Sequence, residues 1–99
     1  MSLLLVATVQ LTLRAADQLE RLIVTHRLPV ETWTRVAQSL RVLEQFPLAG
    51  RELASEGGGL RAIIGPWRWL LIGYEYDDAI NSVTVVEFHD SRSTTFTPS

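Results

Sequence analysis

Arg61, Arg68 and Arg92 lie on or beside three successive β-prone runs in the second half of the chain, with His89 three residues before the last of them. A guanidinium is a planar fork of donors that grips a phosphate or carboxylate through two parallel bonds. It stays charged at any physiological pH, so it stabilises anions but does not carry protons. All nine basic residues are arginine and none is lysine, which leaves acid–base work to His89, His26, a carboxylate or a tyrosine. An unperturbed imidazole titrates near pH 6.5, about where a general base for hydrolysis is useful, and His89 is the better placed of the two histidines. Three guanidiniums from neighbouring strands can converge on one phosphate or one acidic partner chain. Arg68 stands out because it interrupts the apolar run Trp67-Arg68-Trp69-Leu70-Leu71-Ile72. A charge in such a run needs an ion-pair partner, for which Glu75, Glu87 and Asp90 are at hand, or an opening to solvent where it faces an anion. Both readings stay open. Trp67, beside a Gly65-Pro66 turn, is the aromatic placed for contact with a ligand, whereas Trp33 falls on a helical stripe and reads as core. His26 reads as a cation at a helix C-terminus, and Asp77-Asp78 as turn chemistry rather than a metal site. No cofactor is called for.

These residues need elements to hold them. Leu3 to Leu11 is rich in β-formers, and Val9, Leu11 and Leu13 alternate as on a half-buried strand. Thr12 offers a helix N-cap, after which Ala16, Leu19, Leu22 and Ile23 recur at helical spacing up to His26-Arg27. Pro29 suits the first position of a second helix with a stripe of Val30, Trp33, Ala37, Leu40 and Leu43. So short a connection implies an antiparallel helical hairpin. Phe46-Pro47 stops the second helix, and Leu48 to Gly59 reads as a surface loop whose Gly57-Gly58-Gly59 lacks the lysine of a phosphate loop. Leu60 to Ile64, Trp67 to Tyr76 and Val83 to Phe88 then read as a three-stranded antiparallel meander packed against the helices, and Ser93 to Ser99 as a short polar tail. The expected class is α+β, with residues 1–99 as one domain.

Composition narrows the function further. The chain has 99 residues, 46% of them hydrophobic and 20% charged, enough for one core. Without cysteine it has no disulfide, thiolate metal site or cysteine nucleophile. A formal charge of −2 argues against a broad electrostatic grip on nucleic acid, which needs many phosphate contacts. The apolar run Leu3 to Ala7 is far short of the roughly 20 residues that span a bilayer, so a cytoplasmic, membrane-free protein is expected.

The order strand, helical hairpin, Phe46-Pro47-Leu48-Ala49-Gly50-Arg51, loop, Leu60-Arg61, Gly65-Pro66-Trp67-Arg68, acidic turn, strand, His89-Asp90-Ser91-Arg92 resembles the RelE/ParE superfamily of type II toxin–antitoxin toxins, over nearly the whole chain. The resemblance implies a toxin neutralised by a cognate antitoxin. Arg61 and Arg68 match positions that hold the scissile phosphate of messenger RNA in the ribosome-dependent endoribonuclease branch. His89 and Arg92 match the His-x-x-Arg end of the last strand, closer to the ParE and plasmid-stabilisation branch, whose members poison DNA gyrase by binding it. The chain departs from the ribonuclease pattern in having no lysine, Leu71 in place of a common tyrosine, and Phe96 as the only aromatic after the last motif. The resemblance therefore implies growth inhibition by binding, with gyrase as target and Arg61, Trp67, Arg68 and Arg92 as the binding set. The alternatives are an endoribonuclease using Arg61, Arg68, His89 and Arg92 on ribosome-bound messenger RNA, and an inactive member that retains antitoxin binding alone. Homodimerisation through the hairpin or the edge strand Leu3 to Leu11 stays open.

Overall fold

The computed structural model describes residues 6–53 and 59–92. Within them the chain runs β1 (Thr8–Leu11), α1 (Leu13–His26), α2 (Thr32–Gln45), β2 (Arg51–Glu52), β3 (Leu60–Ile64), β4 (Leu70–Asp77) and β5 (Ser82–Asp90). The five strands form one sheet in the order β1-β5-β4-β3-β2. The α+β order of strand, helical hairpin and meander is thus present. The sheet is mixed, because β1 pairs parallel to β5 while every other neighbour is antiparallel. β2, a short added edge strand opposite Arg61 and Ala62, lies where the sequence reads as plain loop.

Local chemistry explains the helix ends. Thr12 has extended backbone and its Oγ1 accepts the Ala15 amide at 3.0 Å, which satisfies one orphan donor at the start of α1. The helix closes at Arg27, whose φ of 51° is left-handed, with Leu28 N–H reaching Ile23 O at 3.0 Å. This is the Schellman arrangement, built on arginine instead of the usual glycine. Pro29 does not open α2. Its carbonyl accepts both the Thr32 amide (3.0 Å) and the Thr32 hydroxyl (2.6 Å), forming a turn that delays the helix to Thr32.

That turn also rotates the buried stripe. The face of α2 against the sheet carries Thr32, Val36, Leu40 and Leu43, whereas Val30 and Ala37 are exposed. Trp33 is no core residue either: it lies at the rim, its indole N–H donating to Glu20 at 2.7 Å and tying α2 to α1. Leu19 of α1 and Leu40 and Leu43 of α2 form one cluster with Leu70, Ile72, Tyr74, Val83, Val85 and Phe88 of the central strands.

A β-bulge decides which β5 side chains reach that core. Gly73 pairs with Glu87, but Tyr74 pairs with Val85, so Val86 is an extra residue. Alternation from Val83 and Val85 alone would turn Glu87 and His89 inward. The bulge resets the period, burying Phe88 and bringing Asp90 to the helix side, and sends His89 to the other face beside Leu71.

Candidate functional site

β3 and β4 position the first two groups. Arg61 lies opposite Tyr74, on the helix side of the sheet. Tyr74 is fully buried; its hydroxyl donates to Pro47 O at 2.7 Å and accepts the Gly50 amide at 2.8 Å. Arg61 Nη1 donates to Gly50 O at 2.8 Å and Leu48 O at 3.3 Å. The Phe46-Pro47-Leu48-Ala49-Gly50 segment is therefore clamped from two sides. A β-carbon on Gly50 would sit 2.5 Å from the Tyr74 hydroxyl and 2.9 Å from Ala62 O, so glycine is required there. Burial pushes the Tyr74 phenol above its ordinary value, partly offset by the Gly50 amide and the charge of Arg61. The guanidinium of Arg61 is engaged in holding backbone.

Arg68 lies outside the strand. Gly65 N–H bonds Leu70 O at 2.8 Å and Leu70 N–H bonds Trp67 O at 3.0 Å, which takes Trp67-Arg68-Trp69 out of the ladder and starts β4 at Leu70. Proline at 66 has no N–H to continue the pairing. The apolar run thus belongs to two structures, a turn that presents Arg68 to solvent and a buried strand beyond it.

The same turn builds a cluster of rings and charges. Trp67 and Trp69 stack with ring centroids 5.7 Å apart and planes 13° apart. Arg35 of α2 sits over Trp67 at 5.9 Å, and Arg92 over Trp69 at 4.4 Å. His26, on the last turn of α1, meets Trp69 at 5.2 Å, and its Nε2 lies 3.2 Å from Asp90 Oδ2. Asp90 also accepts the Arg92 backbone amide at 2.8 Å and its Nε at 3.2 Å. The Arg92 side chain is the chief reason the Asp90 carboxyl is held below its usual range, against the opposing effect of burial and with the Arg92 amide and the charges of Arg92 and His26 adding to it.

Of the residues singled out in the sequence, the structure therefore brings together Trp67 and Arg92, with Arg68 in the turn between the two tryptophans. Arg61 lies about four strand residues away, roughly 13 Å along β4. His89 pairs beside Leu71, on the opposite face from Ile72 by register, at the β5 edge where it also lines a cleft with Gln18, Arg21, Leu22 and Thr25 of α1. The three arginines and the histidine are thus spread along and across the sheet rather than gathered at one point. Arg35, Trp69, His26 and Asp90 complete the cluster instead. Trp67-x-Trp69 spacing was a visible signal for it, but nothing in the sequence pairs Arg35 with a turn more than thirty positions on.

By sequence, no family model and no curated protein matches the chain. By structure, it is similar to the M. tuberculosis RelBE2 toxin–antitoxin complex at a TM-score of 0.66 and 22% identity, covering 92% of this chain and 99% of that one. The chromosomal ParDE system of P. aeruginosa gives a TM-score of 0.66 at 12% identity, covering 86% and 96%. The fold is that of the RelE/ParE toxins. The archaeal RelE–RelB complex from Pyrococcus horikoshii OT3 agrees, with a TM-score of 0.61 at 13% identity over 89% and 99%. Within the RelE/ParE fold, the Tyr74–Arg61 clamp and the tryptophan stack are how this chain fixes its own loop and turn. Among the described residues no helix is long and apolar enough to cross a membrane.

Proposed function

We propose that this chain is the toxin of a type II toxin–antitoxin pair, neutralised by a cognate antitoxin, and that it acts in the cytoplasm by binding a macromolecular target in the ParE manner, with gyrase as the target. The observation that carries this reading is the dispersal of the cations. In-line cleavage of RNA by the ribose 2′-hydroxyl needs a base, an acid and cationic stabilisation gathered around one phosphate. Here Arg61 holds backbone carbonyls on the helix side, His89 lies on the opposite face, and Arg92 is paired with Asp90 over Trp69. A set so divided favours a docking surface over a phosphodiester site.

The experiment is to induce the chain without antitoxin and follow labelled thymidine, uridine and methionine during the first minutes. The expected result is an early fall in thymidine incorporation. An early fall in methionine alone, abolished by Arg61→Ala and His89→Ala in chains that still fold, overturns the reading in favour of ribosomal messenger cleavage. No effect on any label would assign the chain to the inactive members of the fold.

A further inference from the structure

The Phe46-Pro47-Leu48-Ala49-Gly50 segment holds apolar side chains out in solvent. Phe46 is 62% exposed and Leu48 58%, and with Gln45, Pro47 and Ala49 they line an open cleft of about 480 Å³ at the end of α2. Val42, one turn earlier on the helix, is exposed as well. The backbone fixes this exposure: Ala49 N–H bonds Phe46 O at 2.9 Å, Tyr74 holds the Pro47 carbonyl and Arg61 holds that of Leu48. A contiguous apolar surface kept in water by hydrogen bonds marks a contact site.

We infer that the occupant of this cleft is the chain's own Leu3-Leu4-Leu5, which lies outside the described residues, laid over Phe46 and Leu48. The first support is a tether. Ala7 N–H donates to Glu44 O at 2.7 Å, which fixes the start of the described chain beside the last turn of α2, two residues before Phe46. Leu3 is four residues from Ala7, a span of up to about 13 Å, and Phe46 is about 7 Å at most from Glu44 along the chain, so all three leucines reach the cleft. The second support is that the sheet offers them no place. Thr8 already pairs with Ser82, the first residue of β5, and its N–H bonds the carbonyl of Asn81, whose φ of 51° belongs to the preceding turn. No strand remains there for a longer β1 to pair with. The cleft beside β1 at that end carries Glu75, Asp77 and Asp78, poor company for leucine. The third support is composition. Three successive leucines favour leaving water, and an exposed phenylalanine and leucine offer the apolar area to do so. The other segments outside the described residues fit less well: residues 54–58 read Ala-Ser-Glu-Gly-Gly, and Phe96 follows Arg92 past the far end of β5, about 25 Å along the strand from Ser82.

The test uses the purified full chain with methyl-labelled leucine. Nuclear Overhauser contacts from the methyl groups of Leu3, Leu4 or Leu5 to the Phe46 ring are expected, and they should persist on dilution. A thermodynamic cycle reads the same contact without spectra. Phe46→Ser should lower the urea midpoint of the native chain, but leave unchanged that of a chain already carrying Leu3→Ser, Leu4→Ser and Leu5→Ser. The triple variant should bind more of the apolar dye anilinonaphthalene sulfonate than the native chain does, and adding Phe46→Ser should remove the gain. Phe46 lies outside the core cluster, so its substitution leaves the packing of the sheet intact. The methyl contacts are measured on the native chain and decide the matter even if the triple variant does not fold. Leucine methyls without contact to Phe46 or Leu48, or midpoint shifts that simply add, overturn the inference. Contacts that arise only between differently labelled copies overturn it as well, and assign the cleft to a second chain.

Discussion

Tyr74 and Arg61 secure the segment after α2, and the strength of that clamp can be measured residue by residue. Tyr74→Phe removes the donor to Pro47 O and the acceptor for Gly50 N–H in a fully buried site, so unfolding free energy should fall by about 1–3 kcal/mol in urea titrations. Gly50→Ala should cost more, because its β-carbon meets both the phenol and the Ala62 carbonyl. The raised phenol also sets a pH dependence. Where the unfolded chain loses its tyrosine protons, near pH 10, native Tyr74 still holds its own, so stability falls as pH rises from there, and Tyr74→Phe should flatten that slope. Asp90 behaves in the opposite sense. Its carboxyl is depressed by Arg92, so its stabilisation is complete above the ordinary carboxylate range near 3.9 and disappears as pH falls through the lower native value. Asp90→Asn should therefore shrink the acid loss of stability, read as the urea midpoint against pH below about 4.

At the scale of elements, the chain announces what repeats and conceals what interrupts. The Thr12 cap, the end of α1 at His26-Arg27 and the whole of β3 were legible because capping chemistry and β-propensity are local. The start of β4 was not, since Trp67-Arg68-Trp69 has the composition of a strand and only the Gly65–Leu70 and Leu70–Trp67 bonds withdraw it into a turn. The end of β5 was misplaced for a related reason: a bulge at Val86 leaves no compositional trace, yet it decides that Asp90 and not His89 joins the cluster. The rotated stripe of α2 followed from a Thr32 hydroxyl satisfied by Pro29, a bond that hydropathy does not register. Two element-level outcomes follow from this physics. Arg27→Gly should stabilise the chain by roughly 0.5–1 kcal/mol in chemical denaturation, because glycine takes the left-handed cap without the clash a β-carbon brings, less its greater entropy in the unfolded chain. Gln18→Ala should cost about 1 kcal/mol. The Gln18 amide oxygen accepts Phe88 N–H at 2.9 Å on the stretch of β5 that extends past β1, and no strand among the described residues takes its place.

For the molecule as a whole, connectivity makes the parts depend on one another. β1 pairs parallel with β5, Thr8 beside Ser82 and Leu11 beside Val85, so the start of the described chain is stitched to its last strand with both helices between them in sequence. The start of β1 is further tied to the end of α2 through Ala7 N–H and Glu44 O at 2.7 Å. The tryptophan–arginine cluster draws on α1, α2, the β3–β4 turn and the end of β5 at once. Apart from the Trp67–Trp69 stack and the Asp90–Arg92 pair, its contacts join stretches far apart in sequence. Such nonlocal closure predicts a single cooperative transition. Tryptophan fluorescence of a Trp33→Phe chain reports only the Trp67–Trp69 stack, and far-ultraviolet circular dichroism reports the helices and sheet. The two urea curves should superimpose with one midpoint. A fluorescence midpoint well below the other would mean that the stack opens while the sheet stands. The contacts of Arg35 and Arg92 with the rings would then be lost before the strand ladder, and the turn would be a separate, weaker cooperative unit.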